Sequence, residues 1–226
     1  NRLRLITGYK YLSDLTNKKI EMFWVKSRQC DTLFKDLFEP IPNVNFNYLK
    51  WNTCEQDTRP PNTARTFDLF PHSDEIRNQN YLIFNPLNTL KNRIDEIKNK
   101  IDGNYIACHI RRTDIIQIHK KYGVTPPPDE FFFDFVNQYP NHKIFLATDD
   151  RETQAIFGDQ FGDRLILSAT IARHGSQRWP IRTTPISEAV IDLFLCIGAH
   201  AFIGTDCSSF SGFINGYRKG IVCQKS

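Results

Sequence analysis

The chain has 226 residues, of which 40% are apolar and 24% charged, so its composition is that of a folded globular protein rather than a fibrous or disordered one. Its 29 lysines and arginines against 25 aspartates and glutamates leave a net charge of +4, which argues against a nucleic-acid-binding protein that relies on bulk positive charge. No apolar run approaches the roughly 20 residues of a membrane-spanning helix, so the sequence predicts no transmembrane segment.

The first half of the chain mixes helical and strand-like patterns of apolar residues. Apolar spacing predicts helices over residues 3–15 and 31–38, and strands over residues 20–25, 46–51 and 81–84. The stretch from Thr53 to Asp74 contains three prolines and is predicted to be a loop. This half is therefore predicted to be a small α/β domain.

A helix predicted at residues 86–101 precedes the predicted boundary between two domains. Its apolar residues recur at three- and four-residue spacing, and Gly103 follows at a place where helices commonly end. Glycine usage also changes here, because only Gly8 precedes residue 103. The sequence therefore predicts an N-terminal domain over residues 1–102 and a C-terminal domain over residues 103–226.

The second half alternates short apolar runs with helical patterns. Strands are predicted at 105–110, 143–148, 164–168 and 200–205, and helices at 130–136, 151–157, 187–198 and from Ser208 toward Tyr217. Nearly continuous apolar strands that alternate with helices are typical of a parallel sheet covered on both faces. Ligands of such sheets bind beyond the carboxyl ends of the strands, so the polar residues there form the candidate site.

Two adjacent arginines, Arg111 and Arg112, directly follow the first strand of this half. A guanidinium binds phosphate oxygens through two parallel hydrogen bonds and keeps its proton, so the pair suits a diphosphate that gains negative charge as it leaves. Strand alternation points His109 and Arg111 to one side and Arg112 to the other, so the three side chains are not expected to share one role. The alternative is that one arginine pairs with Asp114 or another carboxylate and stabilises the loop.

Polar residues also follow the other strands. Asp149 and Asp150 follow the second strand and either belong to the site or cap the next helix. Ser208 and Ser209 start the last helix, where unpaired backbone N–H groups and the helix dipole favour a phosphate, although serine at this position is often only a cap. These strand ends are expected to converge on one edge of the sheet.

Asp192 lies within the apolar helical segment at residues 187–198, where a buried carboxylate needs partners. Either it belongs to a solvated stripe with Glu188, four residues earlier on the same face, or it accepts two hydrogen bonds from guanine. Arg2 is available near the start of the first predicted helix and on its own indicates little.

Four segments, in their order along the chain, resemble the fucosyltransferase superfamily that includes the nodulation fucosyltransferases, the α-1,6-fucosyltransferases and the protein O-fucosyltransferases. They are HIRRTD at 109–114, FLATDD at 145–150, SEAVIDLFLC at 187–196 and FIGTDCSSFS at 202–211. The opening NRLR also looks like the end of that superfamily's N-terminal glycine-rich loop. The resemblance implies two Rossmann-like domains with parallel sheets that face each other across a cleft, the GT-B arrangement, with the acceptor on the N-terminal side.

The resemblance further implies an enzyme, a glycosyltransferase that moves fucose from GDP-fucose to a glycan or protein acceptor with inversion and without a metal or other cofactor. It makes Arg111 the catalytic residue, which binds the β-phosphate and assists departure of the diphosphate. The other matched residues are implied to bind the donor substrate: His109, Arg112, Asp114, Asp149, Asp150, Asp192, Ser208, Ser209 and, from the opening segment, Arg2.

Some choices stay open at the level of sequence. The superfamily's lysine after the arginine motif is Ile115 here, and only Lys120 or Lys121 is placed to replace it. The candidates by type for a general base are Glu39, Glu55 and Asp57. The alternative functions are a transferase that uses another nucleotide sugar, and a nucleotide-binding module without activity.

Cysteine usage and the lack of glycosylation sequons bear on the compartment. The six cysteines are scattered without metal-binding spacing, and no Asn-x-Ser/Thr sequon occurs, which together favour the cytosol. A secretory lumen stays open if a leader precedes Asn1.

Overall fold

A computed structural model describes residues 2–26, 30–49, 74–101, 103–113, 123, 125–171 and 184–225. These residues form α/β structure with two parallel sheets, as the sequence predicts. They divide into two compact units, one made of Asn1–Leu87 with Phe213–Ser226 and the other of Asn88–Gly212.

The first unit contains helix α1 (Arg2–Thr16), strand β1 (Ile20–Val25), strand β2 (Val44–Leu49), helix α2 (Asp74–Asn80) and most of the final helix, α7 (Ser209–Lys225). The two strands pair in parallel. An aromatic cluster forms the core, in which Phe34 stacks on Phe46 at 4.0 Å between ring centroids and Phe38 meets Phe84 at 5.6 Å.

Two elements predicted for this unit are wrong. Residues 31–38 contain only a single 3₁₀ turn, Phe34–Asp36, and the predicted strand at 81–84 is a 3₁₀ turn, Tyr81–Ile83, that directly follows α2. Both Tyr81 and Phe84 are buried. Residues three apart lie on the same face of a helical turn but on opposite faces of a strand, so the turn brings both to one core. The four consecutive apolar residues at 81–84 are too few to show which period applies.

The second unit contains, in chain order, α3 (Asn88–Ile101), β3 (Tyr105–Ile110), α4 (Asp129–Asn137), β4 (Lys143–Thr148), α5 (Arg151–Phe161), β5 (Leu165–Ile166), α6 (Ile186–Gly198), β6 (Ala201–Gly204) and the first turn of α7. All four strands are parallel, in the order β5-β4-β3-β6. The predicted alternation of strands and helices in this half is confirmed.

The two units group the chain differently from residues 1–102 and 103–226, and the division into those two domains stays a prediction. Helix α3 belongs to the second unit, where it packs against α6 and buries Leu90, Ile94 and Ile97. Most of α7 belongs to the first unit, where Phe213 lies 4.7 Å from Tyr81 between ring centroids. Glycine usage along the chain carries no information about either of these contacts.

Strand β3 is buried on both faces at the centre of the second sheet. Ile106, Cys108 and Ile110 face a core built with side chains of α4 and α5, and all three are fully buried. His109 points to the opposite face and is also buried. Residues that follow β3 therefore leave the sheet at the middle of its carboxyl edge.

Two general features of the described residues bear on the expectations from composition. Within the described ranges, no helix has the length and apolarity required to cross a bilayer. The five described cysteines are free thiols, and burial raises the pKa of the Cys108 thiol above its usual range.

Candidate functional site

The ends of the central strands meet at one edge of the second sheet, as the sequence predicts. In the parallel register Ile110 lies beside Thr148 and His109 beside Gly204. Arg111 therefore leaves the sheet close to Asp149, with Arg111 Nε 3.9 Å from Asp149 Oδ2.

His109 is enclosed by the first turn of α7. Its Nδ1 lies 2.7 Å from Ser211 Oγ, and its ring stacks on Phe210 with 4.5 Å between centroids. Burial, and then the nearby Arg111, lower the pKa of His109 from 6.5 to about 3. The imidazole is therefore neutral at physiological pH and serves as a hydrogen-bonding group rather than a cation.

Thr205, the first residue after β6, joins the end of β3 to the start of α7. Its backbone N–H donates to the His109 carbonyl at 2.9 Å. Its hydroxyl lies 3.2 Å from the same carbonyl and accepts the Arg111 N–H at 3.0 Å. Only 1% of the Thr205 surface is exposed, and the residue connects these two segments through its hydrogen bonds.

The two adjacent arginines have different surroundings, in agreement with strand alternation. Arg111 keeps 27% of its side chain exposed, and its contact with Asp149 is longer than a hydrogen bond. Arg112 forms an ion pair with Asp129 at 2.5 Å, donates to the Pro127 carbonyl at 2.5 Å and lies over the ring of Phe132. The stabilising ion pair considered from the sequence is therefore seen at Arg112, with Asp129 as its partner; the binding of a donor by Arg112 stays a prediction.

Asp149 and Asp150 hold the loops at this edge. Asp149 accepts the Arg112 backbone N–H at 2.8 Å through Oδ1 and the Thr113 hydroxyl at 2.6 Å through Oδ2. Asp150 caps α5, since its Oδ2 accepts both the N–H and the hydroxyl of Thr153 at 2.8 Å. The capping role is thus observed for Asp150, and donor binding by either aspartate stays a prediction.

The first turn of α7 starts at Ser209, as predicted within one residue. Ser208, directly before it, is 5% exposed, and its Oγ forms no hydrogen bond with any described residue. A serine at this position ordinarily accepts a backbone N–H of the first turn, which this hydroxyl does not do. Cys207, just before it, has the left-handed φ of 59°, a conformation that non-glycine residues rarely adopt.

Asp192 of α6 is linked to the end of β5. The hydroxyl of Ser168 donates to Asp192 Oδ1, and the Asp192 side chain is half-buried. On the same helical face, Glu188 Oε2 is buried and forms no hydrogen bond with a described residue. The pair is therefore not a fully solvated stripe, while the guanine contact of Asp192 stays a prediction.

Other predicted residues belong to the first unit or lie outside the described residues. Arg2 is in the first unit, with its guanidinium 4.7 Å from the ring centroid of Trp24, and Glu39 is a half-buried residue of the same unit. Their proposed roles stay predictions. Outside the described residues lie Asp114, Ile115, Lys120, Lys121, Glu55, Asp57 and all of the predicted loop before Asp74.

Sequence reasoning gave no role to three hydroxyl residues that build this edge: Thr205, noted only as a polar residue after its strand, Ser211 and Ser168. Each acts on a predicted residue that is distant in sequence, so no local pattern marks them. One signal was present for Ser211. Gly204 is the strand neighbour of His109, and a glycine there leaves the space beside the imidazole that Ser211 occupies.

Metal-binding side chains do not cluster in the described part of the chain. No group of three or more His, Cys, Asp or Glu residues there is placed to hold a metal ion.

The second unit thus has the parallel sheet and the polar carboxyl edge of α/β proteins that bind ligands beyond their strands. Solved structures similar in fold include fucosyltransferases. The fucosyltransferase NodZ from Bradyrhizobium is 15% identical, covers 96% of this chain and 87% of its own, and has a TM-score of 0.59. NodZ α-1,6-fucosyltransferase soaked with GDP-fucose is 14% identical, with coverages of 95% and 87% and a TM-score of 0.57.

A third structure, NodZ α-1,6-fucosyltransferase co-crystallised with GDP, is 15% identical over 96% of this chain and 87% of its own, with a TM-score of 0.57. No family model and no curated protein matches the sequence. At these identities the likeness is one of fold. The chain has a fucosyltransferase-like fold, and the resemblance seen in its motifs is confirmed at that level.

Proposed function

We propose that the protein is a glycosyltransferase that uses GDP-fucose as donor and transfers fucose to a hydroxyl of a glycan or protein. Three observations support this: the fucosyltransferase-like fold, the order of the four motifs, and relatives in fold whose structures were obtained with GDP-fucose or GDP. Fold alone does not define an activity, so the proposal depends on the chemistry of the site.

The observation that carries the proposal is the buried hydroxyl of Ser208 at the start of α7, which has no hydrogen-bond partner among the described residues. A buried hydroxyl without a partner is unfavourable by about 1–3 kcal/mol, so a ligand atom is expected to satisfy it. The free N–H groups of a helix start favour an anion. The backbone N–H of Arg111 donates to Thr205, which lies three residues before Ser208. The residue that carries the guanidinium is therefore connected to the helix start.

In the proposed reaction the acceptor oxygen attacks the anomeric carbon of fucose, and the bond from that carbon to the β-phosphate oxygen breaks. The electron pair of that bond and the proton of the acceptor hydroxyl both go to the departing diphosphate, and attack from the opposite side inverts the anomeric configuration. Arg111 and the N–H groups of the α7 start stabilise the added negative charge, with no metal in the proposal. Removal of one such preorganised donor typically reduces the rate by about 100- to 1,000-fold.

The remaining contacts to the donor are assigned by residue type. Asp192 accepts the N1–H and amino hydrogens of guanine, and Ser168 holds one of its oxygens. His109 contacts the nucleotide as a neutral group, which avoids adding a second cation beside Arg111. The proposal includes the GT-B arrangement of two Rossmann-like domains, with the acceptor on the side of the first unit.

Calorimetric titration with GDP and UDP, followed by a transfer assay with GDP-fucose on a glycan array, tests the proposal. We expect tighter binding of GDP than of UDP and transfer that Arg111→Ala abolishes. Arg93→Ala is the matched control, because Arg93 is an exposed arginine of α3 that pairs with Glu96. Binding without transfer to any acceptor or water would instead support a nucleotide-binding module, and preference for UDP would support another donor.

A further inference from the structure

The hydroxyl of Thr205 uses its one hydrogen and one of its two lone pairs in bonds within the protein. A threonine hydroxyl has one hydrogen to donate and two lone pairs. Its oxygen lies 3.2 Å from the His109 carbonyl, to which it donates, and accepts the Arg111 N–H at 3.0 Å. A side chain with no free donor and 1% exposure is not placed to contact a substrate.

These two bonds connect residues far apart in sequence but adjacent at the site. Arg111 follows β3, whereas Thr205 follows β6, and the two strands are neighbours in the sheet. The backbone N–H of Thr205 adds a third bond, to the His109 carbonyl at 2.9 Å. Thr205 thus fixes the backbone of the arginine relative to the turn that leads to α7.

The position of that turn matters because Ser208 lies only three residues after Thr205. The Arg111 Nε lies 3.9 Å from Asp149 Oδ2, beyond hydrogen-bond distance, and the placement of the Arg111 backbone influences where the guanidinium lies. A misplacement of about 1 Å in a binding group reduces a rate about 100-fold in well-organised sites. Because Thr205 connects Arg111 with the Ser208 turn, we expect Thr205 to influence affinity for a diphosphate more than affinity for the base.

We propose that Thr205 is a positioning residue for the diphosphate, which holds the Arg111 backbone and the Ser208 turn at a fixed separation through its hydroxyl. This inference rests on the proposed function, since it takes the β-phosphate of a guanosine diphosphate as the ligand. The inference assigns a role to a residue that touches no substrate atom and that affects the binding of only the diphosphate part of the donor.

Two variants separate the hydroxyl from the shape of the side chain. Thr205→Val keeps the shape and removes the hydroxyl, whereas Thr205→Ser keeps the hydroxyl and removes a methyl group. Calorimetry gives the dissociation constants of GDP and GMP for each protein, and the ratio of the two reports the β-phosphate alone. We expect Thr205→Val to reduce the preference for GDP over GMP about tenfold, and Thr205→Ser to keep it within about twofold of the parent.

A purely structural role predicts a different outcome, in which Thr205→Val lowers the melting temperature and weakens GDP and GMP equally. That result, or an unchanged preference, would overturn the inference. If the valine variant does not fold, Thr205→Cys and Thr205→Ser provide the same comparison, because they differ mainly in hydrogen-bond strength; equal GDP preferences would then overturn it. If the parent protein binds no GDP, the proposed function and this inference are both overturned. If the parent binds GDP but Thr205→Val does not change the preference for GDP over GMP, the inference alone is overturned.

Discussion

The imidazole Nδ1 of His109 lies 2.7 Å from the hydroxyl oxygen of Ser211, and both residues are buried. The two belong to different elements, β3 and α7. They meet because Gly204 has no side chain that would come between them. An added Cβ at Gly204 would lie within 2.7 Å of Ser211 Cβ and also meet Ser211 Oγ. The arrangement makes the first turn of α7 part of the support for His109.

Ser211→Ala is expected to reduce the free energy of unfolding by about 1–3 kcal/mol, because it leaves a buried imidazole nitrogen without this partner. Urea denaturation followed by circular dichroism measures the change. Thr16→Ala is the matched control, since the Thr16 hydroxyl donates to Leu12 at an exposed position in α1. Equal and small effects in the two variants would show that the His109 contact contributes little.

The low pKa of His109 makes stability depend on pH. The folded imidazole has a pKa of about 3 against 6.5 for the ordinary group, so the unfolded chain takes up a proton first as the pH falls. The stability is full above about pH 6.5 and falls toward about pH 3, by up to about 1.4 kcal/mol per pH unit from this group. Between pH 7 and 5 the parent is expected to lose about 2 kcal/mol more than His109→Gln, which does not titrate.

Urea unfolding of both proteins at the two pH values measures this difference. Carboxylates titrate in both proteins alike, so the comparison isolates the histidine. Parallel pH dependence in the parent and in His109→Gln would contradict a buried neutral imidazole.

Gly204→Ala is expected to destabilise the protein by about 1–3 kcal/mol, because the new methyl group would meet Ser211 and come within 2.9 Å of the Phe202 ring. Gly212→Ala provides the control. That glycine lies in α7 with open space around a Cβ, so alanine there is expected to stabilise the helix by up to about 1 kcal/mol. Thermal melting of the two variants gives shifts of opposite sign if the close approach at Gly204 is correct.

The adjacent arginines are expected to separate binding from stability. Arg112→Ala removes the ion pair with Asp129 and the bond to Pro127, and should lower the free energy of unfolding by about 1.5–3 kcal/mol. Arg111→Ala should lower it by less than Arg112→Ala does, because the Arg111 contact with Asp149 is longer than a hydrogen bond, while weakening GDP binding. Denaturation measures the stability of both variants, and calorimetry measures their GDP binding. If Arg111→Ala lowered stability and Arg112→Ala weakened GDP binding, the two roles would be exchanged.

Asp192→Asn is expected to weaken binding of guanosine nucleotides by more than that of uridine nucleotides, because an amide cannot accept both guanine hydrogens. Ser168→Ala should show a smaller effect of the same kind, since the Ser168 hydroxyl holds one oxygen of that carboxylate. The ratio of GDP to UDP dissociation constants is the measurement. An unchanged ratio in Asp192→Asn would remove the guanine role.

The sequence predicted the second sheet well, for a local reason. Strands Tyr105–Ile110 and Lys143–Thr148 were predicted at their observed bounds, because each apolar run ends where polar residues begin. The turn at Tyr81–Ile83 was mistaken for a strand, because the four consecutive apolar residues at 81–84 show no period that separates a turn from a strand. Short apolar segments carry too few residues to define a period.

The sequence predicted which polar residues follow the strands but not the partners of these residues. It predicted opposite directions for Arg111 and Arg112, yet the carboxylate that pairs with Arg112 is Asp129, which starts the following helix. It offered capping and ligand binding as alternatives for both Asp150 and Ser208. Only the structure shows that Asp150 caps α5 and that the Ser208 hydroxyl bonds to no described residue.

Sequence alone determined the parallel α/β order and the polar edge, since both follow from the period of apolar residues along single elements. Tertiary structure decided how that edge is built. The Arg111 bond to Thr205 spans 94 positions and the His109 bond to Ser211 spans 102. The charge of an imidazole and the satisfaction of a hydroxyl depend on which distant side chains pack around them, and such neighbours leave no periodic pattern in the chain.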